Sequence, residues 1–147
     1  IIDRPQLKVV PMGFDIQDGL TTNTSNQELD VSLLQDYFLM VGTIEPRKGH
    51  AEVLDTFETL WAQGWEKKLV IAGREGWKQL TDDHRRSLPA LVKRIQQHSE
   101  LGRRLFWLDD LDDVRLASIQ RGASALIMAS HGEGYGLPLI EAASLGN

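Results

Sequence analysis

Apolar residues follow two rhythms along this chain. Tyr37-Phe38-Leu39-Met40-Val41 is a run with no polar break, the pattern of a strand covered on both faces. Val53, Leu54, Phe57, Leu60 and Trp61 then recur three and four residues apart. That spacing predicts a helix over about residues 50–63, stopping near Gly64. The alternation repeats. Residues 68–72 form a second strand closed by Gly73, and residues 77–98 a partly helical stretch. Leu88, Leu91, Val92 and Ile95 make its apolar stripe, and Pro89 is expected to divide it in two. Residues 104–108 form a third strand. A helix follows with Leu116 and Ile119 inward, ended by Gly122, and residues 125–128 form a fourth strand. Three glycines, Gly132, Gly134 and Gly136, lead from there to Pro138, a residue favoured at the first helical position, and to a helix reaching about Leu145. Ahead of all this, residues 7–10 are a short apolar run ended by Pro11. Residues 17–30 are polar and aperiodic, expected as an exposed, mobile loop.

Strands alternating with helices imply an α/β fold, a doubly wound parallel sheet of Rossmann-like type with right-handed crossovers. In the order 3-2-1-4 the first and fourth strands are neighbours, and a crevice opens beyond their carboxyl ends. The loop after the first strand carries Glu45, Pro46, Arg47 and Lys48, and the loop after the fourth carries residues 133–137. Topology thus brings an Arg–Lys pair opposite a glycine loop that aims backbone N–H groups and a positive helix end at a ligand. Glu133 and Glu141 bracket that loop. Anion-seeking backbone beside two acids suits a ligand with phosphates and hydroxyls, such as a nucleotide sugar. Residues 1–36 are expected to be a linker with its flexible loop, and residues 37–147 an incomplete nucleotide-sugar-binding domain.

Each residue also has a plainer reading. Arg47 and Lys48 alone would suit a solvated loop end, Glu141 a favourable first-turn carboxylate, and Glu133 a surface acid. Tyr135 suits packing against the helix as well as ligand contact, and His131 is first of all a loop residue. Asp109, Asp110, Asp112 and Asp113 suit a helix cap better than a metal site, because no other ligand type is spaced with them. Trp61, Trp65 and Trp107 look like core or rim. Arg74, Glu75 and Trp77 are candidates for a base pocket.

Composition trims the options. At 147 residues, with 41% hydrophobic and 25% charged residues, the chain is one ordinary globular domain's worth. A net charge of -5 argues against a general nucleic-acid binder. The absence of cysteine excludes disulfides and thiolate metal sites. No apolar run approaches the roughly 20 residues of a membrane span, and the start lacks a signal-peptide pattern.

The motifs together resemble retaining GT-B glycosyltransferases of family 4. Glu133 and Glu141 have the E-x7-E spacing, within Glu-Gly-Tyr-Gly-Leu-Pro-Leu-Ile-Glu-Ala. Residues 10–15, Val-Pro-Met-Gly-Phe-Asp, look like the segment entering the C-terminal domain of such enzymes. Residues 41–49, Val-Gly-Thr-Ile-Glu-Pro-Arg-Lys-Gly, and residues 72–77, Ala-Gly-Arg-Glu-Gly-Trp, resemble a mannosyltransferase-like branch used in bacterial polysaccharide assembly. Gly49, Tyr135 and Asp109 depart from the usual Asn, Phe and Gly. The resemblance implies the C-terminal half of a GT-B fold, truncated after the E-x7-E helix, lacking the N-terminal acceptor domain and inactive alone. It implies that Arg47 and Lys48 hold the donor diphosphate, aided by the amides of Gly136 and Leu137. By the same resemblance Glu141 accepts from the ribose, and Glu133 meets the donor sugar as stabiliser or nucleophile. Gly42, Gly134, Tyr135 and His131 would complete the donor site. No metal or other cofactor is implied. The donor would be a nucleoside-diphosphate sugar, GDP-mannose by branch, and the acceptor a saccharide or lipid-linked sugar. The resemblance places the intact enzyme in the cytoplasm, peripheral to the inner face of the membrane. A non-catalytic sugar-nucleotide-binding module is the alternative. A dinucleotide oxidoreductase is disfavoured, since no Gly-x-Gly-x-x-Gly follows the first strand.

Overall fold

The structure, a computed structural model, describes residues 34–132 and residue 143. The elements are β1 (Tyr37–Val41), α1 (His50–Ala62), β2 (Lys68–Ala72), α2 (Asp82–Arg85), α3 (Leu88–Gln96), β3 (Leu105–Leu108), α4 (Asp113–Gly122) and β4 (Ala125–Leu126). A single 3-10 turn, Pro46–Lys48, precedes α1. The strands pair in parallel in the order β3-β2-β1-β4, the order expected for a Rossmann-like half of a GT-B fold. The short strand expected at residues 7–10, the loop at 17–30 and the helix after the glycine loop lie outside the described residues.

The unbroken apolar runs are explained by covering on both faces. Along β1, Tyr37 and Leu39 enter one cluster with Val70, Phe106 and Ile119, while Met40 enters the other with Leu69 and Ile71. Leu54 and Phe57 of α1 and Leu88, Val92 and Ile95 of α3 cover that second face, and α4 covers the first through Ile119. Tyr37 ties α4 to the sheet as well, its hydroxyl donating to the Ile119 carbonyl at 2.6 Å. Leu34 joins the core just before β1.

Some boundaries differ from expectation. The fourth strand is shorter than residues 125–128. Only Ala125 and Leu126 pair with β1; the Ile127 N–H still reaches the Leu39 carbonyl, and the chain then leaves to pass beside Gly49. The third strand begins one residue late because the Arg104 N–H closes a turn on the Glu100 carbonyl. Pro89 does not itself split the helical stretch. It sits in the first turn of α3, and the break falls at Arg86, whose φ of 56° is not helical. Asp112 caps α4, accepting from the Arg115 N–H at 2.7 Å, so the capping reading of the Asp cluster holds there. Trp61 is buried, and Trp65 and Trp107 pack at the margin of the core.

Candidate functional site

In a parallel sheet every strand points the same way, so the loops after β1, β2 and β4 gather at one end. The close approaches there are built on glycines. A Cβ on Gly73 would lie 2.0 Å from the Gly42 carbonyl oxygen, so the loops after β1 and β2 touch only because side chains are missing. A Cβ on Gly49, whose φ is 72°, would lie 2.2 Å from the Ala129 carbonyl oxygen. The start of α1 is therefore pressed against the segment leaving β4. That segment is also bonded to the β1 loop. The His131 N–H donates to the Arg47 carbonyl at 2.8 Å, and Arg47 Nη1 donates to the Gly132 carbonyl at 3.0 Å.

Four of the residues expected at the site fall among those described, and all four meet here. Gly42 has a φ of 136°, which favours glycine, and the Lys48 Nζ lies beside it, 4.0 Å from where a Cβ would stand. Arg47 is half exposed, and its Nε donates to Glu45 Oε2 at 2.9 Å. His131 is exposed at the rim, with its Nε2 3.1 Å from Glu52 Oε1. The Glu52 carboxyl is held below its ordinary range, first by its own backbone N–H in the opening turn of α1 and then by His131. Glu133, Gly134, Tyr135, Gly136, Leu137 and Glu141 lie outside the described residues.

The loop after β2 forms the adjoining wall. The Ile44 N–H donates to the Arg74 carbonyl and the Gly76 N–H to the Ile44 carbonyl, extending the ladder beyond the strands. Of the three base-pocket candidates, Arg74 pairs with Asp110, Glu75 with Arg85, and Trp77 packs against the core. Among the described residues no group of three or more His, Asp or Glu side chains could hold a metal ion, and no helix is long and apolar enough to cross a membrane.

Sequence reading passed over three side chains here. Glu45 and Glu52 look like ordinary loop and helix acids until their partners, Arg47 and His131, are placed. His50, the first residue of α1, is 3% exposed, and neither ring nitrogen has a hydrogen-bond partner. Burial, reinforced by the Lys48 charge, pushes its pKa down to about 4 against an opposing pull from Glu52. The imidazole is neutral at physiological pH. No periodicity marks it, because it sits at the helix start rather than in the apolar stripe.

Two loops meeting across β1 and β4, on an open parallel sheet flanked by helices, define an α/β domain of Rossmann-like type. Residues 23–147 match the family Glycosyl transferases group 1, and the chain belongs to that family. It is similar to the serotype-specific mannosyltransferase WbdA of Escherichia coli, with 46% identity over 106 residues covering 72% of this chain and 12% of the relative. It is also similar to the O-antigen chain mannosyltransferase B of Escherichia coli, with 33% identity over 116 residues covering 76% of this chain and 27% of the relative. The chain thus spans a small part of the length of either relative.

Proposed function

We propose that this chain forms the donor-binding part of a retaining glycosyltransferase that transfers mannose from GDP-mannose to a saccharide or lipid-linked acceptor. The observation that carries this reading is the hydrogen-bonded meeting of the Arg47 loop with the segment ending at Gly132, at the carboxyl end of the sheet. Both relatives are named as mannosyltransferases, which supports the choice of sugar.

In this reading Arg47 and Lys48 hold the diphosphate and offset the negative charge that grows on it as the glycosyl bond breaks. Each charge-assisted hydrogen bond contributes about 1.5–3 kcal/mol. The amides of Gly136 and Leu137 add to this, and no role falls to a divalent ion. Glu141 accepts from the ribose hydroxyls. Glu133 stabilises the oxocarbenium-like centre of the departing sugar. Gly134, Tyr135 and His131 complete the donor site. The acceptor binds outside this donor site, and the intact enzyme works in the cytoplasm at the inner membrane face.

Calorimetric titration against GDP, UDP and ADP tests the reading. We expect GDP to bind most tightly, and Arg47→Ala to weaken it by roughly 10- to 100-fold. A folded chain that bound none of the three would overturn the proposal.

A further inference from the structure

Glu45 is mostly shielded from solvent at the rim. Its side chain is 16% exposed, whereas the Arg47 side chain it holds is 50% exposed. The contact is made to Nε, the inner donor of the guanidinium, at 2.9 Å. Binding Nε fixes the plane of the fork, whose Nη1 donates to the Gly132 carbonyl at 3.0 Å.

Glu45 is itself fixed in place. Its carbonyl accepts from the Lys48 N–H at 3.0 Å, closing the 3-10 turn that carries both cations. Pro46 stiffens the next position. Below it lies Gly76, where a Cβ would come within 2.9 Å of Glu45 Cγ and 2.8 Å of the Ile44 carbonyl oxygen. The missing side chain at Gly76 is what lets Glu45 lie flat on the β2 loop. That loop is in turn laddered to Ile44 by two backbone hydrogen bonds.

We propose that Glu45 is the positioning residue for Arg47, setting the direction in which its guanidinium meets the phosphates of a nucleoside diphosphate. The inference rests on the donor-site reading above. An exposed ion pair adds little to stability. Its value here is that Arg47 has already lost its rotamer freedom before a ligand arrives, which removes an ordering cost from binding.

The sign of the effect separates this from simple electrostatics. A carboxylate beside an anion site repels the anion, so on charge alone Glu45→Ala tightens phosphate binding. Positioning predicts the reverse.

The test is a double-mutant cycle read by GDP titration, with guanosine as the phosphate-free probe. We expect Glu45→Ala to weaken GDP about five- to tenfold and leave guanosine unchanged. Glu45→Gln, which keeps an acceptor for Nε, retains most of the affinity. In an Arg47→Ala background, Glu45→Ala has no further effect. If Arg47→Ala weakens GDP but Glu45→Ala leaves it unchanged or tightens it, the positioning role is wrong and the donor site stands. The same holds if the loss persists at full size without Arg47. If the wild-type chain binds no nucleoside diphosphate at all, the donor-site reading fails first and takes this inference with it.

Discussion

The two ends of the parallel sheet treat their arginines in opposite ways. At the amino end, Arg104 is 10% exposed and grips Glu100 with two hydrogen bonds. Its Nη1 also reaches the Trp65 carbonyl and Glu66, and its guanidinium lies 5.5 Å from the Trp61 ring centre. At the carboxyl end, Arg47 is half exposed and is tied at the rim to Glu45 and the Gly132 carbonyl. The same pairing chemistry closes the structure at one end and stays open to solvent at the other. An enclosed pair belongs to the fold. A held but open one is where a ligand can compete for contacts.

Perturbing each end in turn sharpens that contrast. The largest effect is expected from Gly49→Ala. The new Cβ meets the Ala129 carbonyl oxygen in a left-handed backbone position, so helix α1 and the β4 segment must separate. A loss of about 3 kcal/mol or more in denaturant unfolding, together with loss of GDP binding, is the expected outcome.

Acid comes next. His50 binds its proton near 6.5 when unfolded but only near 4 when folded, so below pH 6.5 the unfolded chain takes up more protons. Stability therefore falls as pH drops from 6.5 to about 4, by roughly 3 kcal/mol in all. His50→Leu should flatten that window and cost nothing at pH 7, since it removes two unpartnered buried nitrogens. Glu100 acts lower down. Arg104, and then Arg103, hold its carboxyl at about 2, so its contribution is complete above about 4.5 and disappears as pH falls toward 2.

Arg104→Met should lower the melting midpoint by several degrees, because Glu100 and the Trp65 carbonyl lose their shared donor, while GDP affinity is unchanged. The smallest change in stability is expected from Arg47→Ala, within about 1 kcal/mol, even though it removes most of the GDP affinity. If the two arginines swapped these signatures, the division between the ends of the sheet would be wrong.

Much of the sheet was legible in sequence because burial on both faces leaves an unbroken apolar run. β1 and β2 stand where those runs stand, and the strand order is the one expected of a doubly wound sheet. Boundaries failed where a tertiary contact decided them. Residues 127–128 read as strand, yet the chain there turns away from β1 toward Gly49. Pro89 read as a breaker, but proline is tolerated in a first helical turn and starts α3. At the candidate site, Arg47, Lys48 and Gly42 were visible from the loop they share. Glu45, Glu52 and His50 were not. What singles them out is a partner, or the lack of one, set by chain segments far away in sequence. The glycine loop, which gave the strongest signal of all, lies outside the described residues from Glu133 onward.

The central claim is that the loop after β1 and the segment after β4 form one site. Hydrogen exchange of the backbone amides, with and without saturating GDP, tests it most directly. We predict that amides of residues 47–52 and of residues 129–132 slow together, while those around residues 100–104 do not change. Protection of only one of the two segments, or protection confined to the Arg104 end, would contradict the account.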